Sequence, residues 1–221
     1  MADYESAAQR GADVDLAGFH EVVRHPRAHA LILQQYRVGE YAGVVGLKRL
    51  LAEMRPEGNL HRAMEIHFRD EDRHSKVFTD WIYRLGVEPE PIPTEIESFF
   101  SNNPEEFRRN RESLEQLPSD LRRIVTFAAI NAVERLAYNQ FETHLRVLDR
   151  AADREALGGV MAEEKFHLSY IEHELGRAQG GEHGSFVTTA VEQARARFAE
   201  FSENRRRERG AALEQLLGGE A

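Results

Sequence analysis

Six residues have the types and spacing to hold a pair of metal ions: Glu40, Glu71, His74, Glu134, Glu164 and His167. Each glutamate interrupts an apolar stripe. Glu40 falls among Leu33, Tyr36, Val44 and Leu47, and Glu71 among Met64, Phe68 and Phe78. Glu134 falls between Phe127 and Phe141, and Glu164 between Val160 and Leu168. A buried ionised carboxylate is costly unless it is paired or binds a metal, and four at matching depth need a common cation. Two of them are followed three residues later by histidine, in Glu71-Asp-Arg-His74 and Glu164-Lys-Phe-His167. Residues three apart share a helix face, so carboxylate and imidazole can reach one metal pair. That mixture of donors suits iron or manganese.

The Glu-x-x-His spacing is weak evidence alone, because a chain this rich in glutamate and histidine contains roughly one by chance from usage. The arrangement is more specific. The order is Glu, Glu-x-x-His, Glu, Glu-x-x-His, and every glutamate is mid-stripe. Glu40 to Glu71 and Glu134 to Glu164 are 31 and 30 residues apart, as two matching helical hairpins require.

Four long segments with helical periodicity must position these residues, at about 26–54, 59–85, 118–149 and 152–175. Asn59 is a plausible N-cap, Gly86 is an expected stop, and Gly176 and Gly180-Gly181 are expected to close the fourth segment. Strand signals are almost missing. Residues 87–118 carry three prolines in Val87-Glu-Pro-Glu-Pro-Ile-Pro93, which cannot continue a helix. Short helices are expected around 95–100 and 105–117. The links within each hairpin are short, so its helices are antiparallel. The 32 residues of 87–118 suffice to run back along a helix of about 42 Å, at 1.5 Å per residue. The expected fold is therefore all-α, a four-helix bundle with one long crossover. A further helix from about 185 carries a narrow seam of Val187, Val191, Ala194, Phe198 and Phe201, to dock on the bundle or on a second subunit. The organisation reads as an N-terminal segment over 1–25, the bundle over 26–177 and the C-terminal helix over 178–221.

Composition narrows the function. Hydrophobic residues make up 41% and charged residues 30%, a soluble balance without a run long enough for a membrane span. Residues 1–15 lack a basic start followed by an apolar stretch, so no secretion signal is expected. Cysteine is absent, which excludes disulfides, thiol catalysis and cysteine-bound zinc or iron–sulfur centres. A cytoplasmic location is the expectation. The net charge of −9 argues against a nucleic-acid partner. The basic run Arg205-Arg206-Arg207-Glu208-Arg209 reads as a solvated face, with an anionic partner as the alternative.

Over about residues 27–177 the chain resembles the ferritin-like di-iron carboxylate superfamily. The resemblance implies that Glu40 and Glu134 each bind one metal, that Glu71 and Glu164 bridge, and that His74 and His167 cap one metal apiece. Asp70 and Glu163, just before the bridging glutamates, would each accept the other N–H of a ligand histidine. Asp70-Glu71-Asp-Arg-His74 is similar to the motif of acyl-carrier desaturases. In length and layout the chain is similar to aldehyde-deformylating oxygenases and to tRNA-hydroxylating monooxygenases. The resemblance implies an oxidoreductase that uses two Fe, with Fe/Mn or Mn/Mn as variants, and O2 as co-substrate. Its reaction would be hydroxylation, desaturation, N-oxygenation or aldehyde deformylation of a small organic substrate, free or carrier-bound. An external electron donor, a ferredoxin or reductase, is implied, and a homodimer is compatible. The alternatives are a ferroxidase or peroxidase of the bacterioferritin or rubrerythrin type, and a non-enzymatic metal-binding protein.

Other residues carry two readings each. Gly39, Gly43 and Gly46 surround Glu40, and three helix-interior glycines at about 1 kcal/mol each need a reason. They allow either close helix packing or a substrate pocket beside the metals. Tyr36 and Tyr138, four residues from Glu40 and Glu134, are core residues or partners of a ligand. His67, one turn before Glu71, is core, supports a ligand, or is a third histidine ligand. Asn131 is placed to hydrogen-bond within the site. His20, His25, His29, His61, His144, His173 and His183 share no spacing and read as surface residues.

Overall fold

The computed structural model describes residues 16–54, 58–94, 96 and 104–218. The apolar stripes become helices: α1 (Leu16–Arg24), α2 (Pro26–Glu53), α3 (Asn59–Arg84), α4 (Pro104–Glu115), α5 (Ser119–Val147), α6 (Ala151–Gln179) and α7 (Gly184–Gly218). No strand occurs among the described residues, so the chain is all-α. Local chemistry sets several ends. His25 Nδ1 accepts the Ala28 N–H at 3.2 Å, and Pro26 takes a first-turn position that needs no amide donor. Gly86, at φ +74, supplies the left-handed turn after α3.

Three boundaries depart from expectation, the first at Asn59, which opens α3 as a helical residue behind Gly58 at the cap position. α1 lies inside the N-terminal segment, to which no helix was assigned, and residues 1–15 of that segment lie outside the described residues. Its Phe19, Val22 and Val23 pack on the main apolar cluster, which stabilises a helix too short to be stable alone. α6 does not stop at Gly176. Leu175 and Ala178 pack with Phe186 and Val187, outweighing the glycine's helix penalty, and the helix ends at Gly180. The short helix expected around 95–100 lies outside the described residues except for Ile96, and α4 matches the second one.

Side-chain pairs fix the directions. Tyr36 lies beside Phe78, and His29 beside Trp81, so α2 and α3 are antiparallel. His67 meets Tyr170 and His74 meets Glu163, so α3 and α6 are antiparallel as well. His67 meets Glu134, Phe78 meets Phe141 and Trp81 meets His144. The numbers rise together, so α3 and α5 run parallel. The chain leaving α3 follows the outer side of α2. Gln34 Nε2 and Arg37 Nη1 donate to the Glu90 carbonyl at 3.1 and 2.7 Å, and Ile92 and Ile96 pack on Val38 and Ala42. α7 lays Phe198 and Phe201 on Ala132 of α5, and Val187 and Ala190 on Ile171 and Leu175 of α6.

The core is in two parts. Ile32, Leu33, Phe78, Trp81, Phe141 and Leu157 fill one end, and Leu47, Met64, Ile124, Phe127, Ile171 and Leu175 the other. Burying each such side chain stabilises the fold by about 1.5–3 kcal/mol. The carboxylates of the four stripes lie between these two parts. Among the described residues no helix is long and apolar enough to cross a membrane.

Candidate metal centre

The stripes on α2, α3, α5 and α6 turn Glu40, Glu71, His74, Glu134, Glu164 and His167 into one buried cluster. Their donor atoms fall into two groups that share Glu71. Glu40, Glu71, His74 and Glu164 form one, and His67, Glu71, Glu134 and His167 the other, with all donors in a group within 4.8 Å of one another. His74 Nδ1 lies 3.1 Å from Glu40 Oε2 and 3.0 Å from Glu164 Oε1, and His167 Nδ1 lies 3.0 Å from Glu164 Oε2. Neighbouring ligands about 2.1 Å from one divalent ion are separated by about 3 Å, so these are coordination-edge lengths. Glu164 Oε1 is buried without a hydrogen bond, although Nδ1 of His74 is close.

Electrostatics point the same way. Burial, and then the charges of Glu40, Glu134 and Glu164, push the Glu71 carboxyl well above its ordinary range. Burial and Glu164 push Glu134 up to about 7. Burial opposes the His74 cation, but the carboxylates of Glu164 and Glu40 beside Nδ1 outweigh it and raise His74 to about 12. Burial also opposes the Glu164 anion, yet the imidazoles of His167 and His74 beside it hold it down to about 2. Without a metal, the His74 cation offsets part of the charge of four crowded carboxylates; two divalent cations would take over that role and balance all four, so this donor set fits a metal pair.

The outer nitrogens are also held. His74 Nε2 lies 2.7 Å from Glu163 Oε2, and His167 Nε2 lies 3.3 Å from Asp70 Oδ2. Each acid precedes the glutamate of one Glu-x-x-His motif and serves the histidine of the other. With the proton kept on Nε2, each Nδ1 would offer its lone pair to a cation seated among the carboxylates. Arg73 ties the two acids together through Nη2, 2.8 Å from Asp70 and 2.5 Å from Glu163. Burial raises both carboxyls, but Arg73 and the histidines outweigh it and leave both below the ordinary range. Arg73 was not singled out from sequence, although it lies three residues after Asp70 on the same face.

The remaining candidates separate. Tyr36 is buried, ringed by Phe78, Phe141 and His144. Tyr138 is half-buried against the apolar cluster, with Lys165 Nζ 5.9 Å from its ring centre. Asn131 is buried, with its amide 3.5 Å from Glu172 on the outer side of α6. His67 joins the donor cluster, and its Nδ1 contacts Tyr170, a partner missed from sequence although it lies three residues after His167. His29 and His144 are not surface residues. They are buried, with Nε2 atoms 3.0 Å apart and rings edge-on to each other; Trp81 stacks nearly parallel on His144 and meets His29 edge-on. Isolated histidines carry no periodic signal, which hid this pair. In the basic run, Arg205, Arg206 and Arg207 pair with Glu208 and Glu203, whereas Arg209 turns inward to Gln35.

Gly39, Gly43 and Gly46 all line a cavity of about 1330 Å³ between α2, α4, α5 and α7. It extends from Gln35 to Glu53 on α2 and from Arg122 to Phe141 on α5, about 27 Å at the helical rise. Glu40, Glu71, Glu134 and His67 reach its wall midway. Leu47, Ile130, Val133, Phe186 and Phe198 make much of the lining apolar. No family model, curated protein or solved structure matches the chain.

Proposed function

We propose that the chain is a ferritin-like bundle with one crossover that binds two iron ions and uses O2 to oxidise an organic substrate. The parallel course of α3 and α5, and the path of residues 87–96 along α2, support that topology. The observation that carries the reaction class is the long, largely apolar cavity opening on one flank of the donor cluster. A site that handled only Fe²⁺ or peroxide needs no such volume, since organic ligands occupy pockets of about 300–1,000 Å³.

When bound, the iron pair supplies the electrons that reduce dioxygen, and Fe/Mn or Mn/Mn pairs are compatible with the same donors. The chain does the rest. Glu40 and Glu134 would hold the ions from opposite ends, with Glu71 common to both donor groups and Glu164 facing both His74 and His167. Asp70 and Glu163 hold the imidazole protons of His167 and His74 away from it. The apolar wall excludes water and positions the substrate bond to be hydroxylated, desaturated, N-oxygenated or deformylated. Without cysteine, electrons come from a separate ferredoxin or reductase.

Anaerobic protein loaded with iron(II) and mixed with O2 in a stopped-flow spectrometer tests this. Absorbance changes that decay faster with added organic compounds support the oxygenase. Repeated oxidation of excess Fe²⁺, or turnover of peroxide, supports the iron- or peroxide-handling alternative. Two bound metals with no oxygen reaction leave a non-catalytic metal-binding protein.

A further inference from the structure

We propose that His67 is a seventh metal ligand, so that the two metal positions are unequal. The inference rests on the two-metal reading above. One position is held by Glu40, Glu71, His74 and Glu164, with a single imidazole. The other is held by His67, Glu71, Glu134 and His167, with two.

The geometry of His67 is that of a ligand. Its side chain is completely buried, and Nε2 lies 2.9 Å from Glu134 Oε1 and 3.2 Å from Glu71 Oε1. Its ring stacks on His167, with centroids 3.7 Å apart and planes 17° from parallel, so the two imidazoles flank the same carboxylates. Nδ1 lies 2.8 Å from the Tyr170 hydroxyl. With Nδ1–H donating to that oxygen, Nε2 keeps its lone pair for a cation. This repeats the way Glu163 and Asp70 hold His74 and His167, with the roles of the ring nitrogens exchanged.

The rest of the site is nearly two-fold. Glu40 corresponds to Glu134, and Asp70-Glu71-x-x-His74 to Glu163-Glu164-x-x-His167. His67 breaks that symmetry, because the residue four before Glu164 is Val160, part of an apolar cluster. An added neutral donor strengthens one position without changing the charge balance. The competing role is simpler: Nε2–H donates to Glu134 and only steadies it. Glutamine can supply an N–H donor but not an imidazole, so the two roles separate experimentally.

Metal-free native protein and His67→Gln are titrated with Co²⁺, following absorbance and bound metal. The native chain is expected to take two equivalents. His67→Gln is expected to keep one and bind the other more than about a hundredfold more weakly, beyond the loss typical of a residue that only supports a ligand. Added imidazole is expected to restore the second equivalent to His67→Ala. Two equivalents in His67→Gln, both within about threefold of native affinity, would overturn the proposal, since replaced ligands cost far more. Native protein gives a check that needs no variant. Its Co²⁺ form should show three solvent-exchangeable, strongly shifted imidazole N–H resonances, and two would exclude His67. Fewer than two equivalents in the native chain would defeat the two-metal reading itself.

Discussion

Gly43 on α2 lies so close to Glu71 on α3 that a methyl group there would overlap the carboxylate oxygen Oε2. The glycine therefore makes room for a donor atom. Neither helix packing alone nor an open pocket alone describes it, although it also lines the cavity. Gly46, three residues on, has nothing within 4 Å of its would-be Cβ. The two glycines look alike in sequence and differ in what they face.

Gly43→Ala should displace Glu71 and lower bound iron below two per chain, whereas Gly46→Ala should keep both metals. Gly46→Ala should also melt higher, since alanine is about 1 kcal/mol better than glycine within a helix. Metal analysis and calorimetry on the pair check this, and equal iron in both would contradict it.

Gly46→Leu should fill part of the cavity without touching a ligand. Metal content and melting should stay near native. Oxygen reactions accelerated by long or bulky compounds should slow, and those with small compounds should not. Uniform slowing across substrate sizes would show that the cavity does not hold the substrate.

Arg73→Ala should release Asp70 and Glu163 and so loosen both ligand histidines. The expected cost is about 10–100-fold in metal affinity, read by competition with a chelator. Because Arg73 is half-exposed, its ion pairs should add less than about 1 kcal/mol to fold stability, and melting of the metal-free form should barely move.

The metal-free protein should lose stability as pH rises. Burial and neighbouring carboxylates raise Glu71, and raise Glu134 to about 7, above the unfolded value of about 4.3. The folded chain therefore holds more protons between these values, and this stability disappears as pH climbs through 7. A metal favours the ionised forms, so its stabilising shift in Tm should grow from pH 5 to pH 7.5. Metal-free Glu134→Gln should lose less stability over that range. A metal-induced shift independent of pH would oppose this account.

Acid should act through His29 and His144. Burial depresses them to about 4 and about 3, the latter also through the nearby His29. Both stay neutral in the fold but take up protons near pH 6.5 when unfolded. Their stability is complete above that value and lost as pH falls toward 3. His144→Leu alone leaves Nε2 of His29 unpaired, which should cost about 1–3 kcal/mol. The double change to leucine should regain most of that and flatten the decline between pH 6.5 and 4 in metal-free melting curves.

The helices that carry the candidate ligands were legible because each needs an apolar stripe, and a glutamate within a stripe is visible by contrast. The pairing of Asp70 and Glu163 with histidines was readable as proximity to the motifs, but not its crossed direction, which depends on how the hairpins dock. α1 is short, yet Leu16, Phe19 and Val23 recur at helical spacing, so its stripe was present in the sequence and only the core it packs on was hidden. His29 and His144 are separated by 115 residues, and no local pattern joins them. Tyr170 and Arg73 lay at readable helical spacings, but only the neighbouring helix shows what they touch.

The exchange of acids between the two Glu-x-x-His segments makes metal competence a property of assembly. His74 is oriented by an acid from α6, and His167 by one from α3. A nascent chain that has formed only α2 and α3 holds Glu40, Glu71 and His74, yet lacks the group that aims the histidine. The site thus works as a coincidence gate. On the two-metal reading, full capture waits until synthesis has passed His167 and both halves have come together, so half-made chains hold metal loosely.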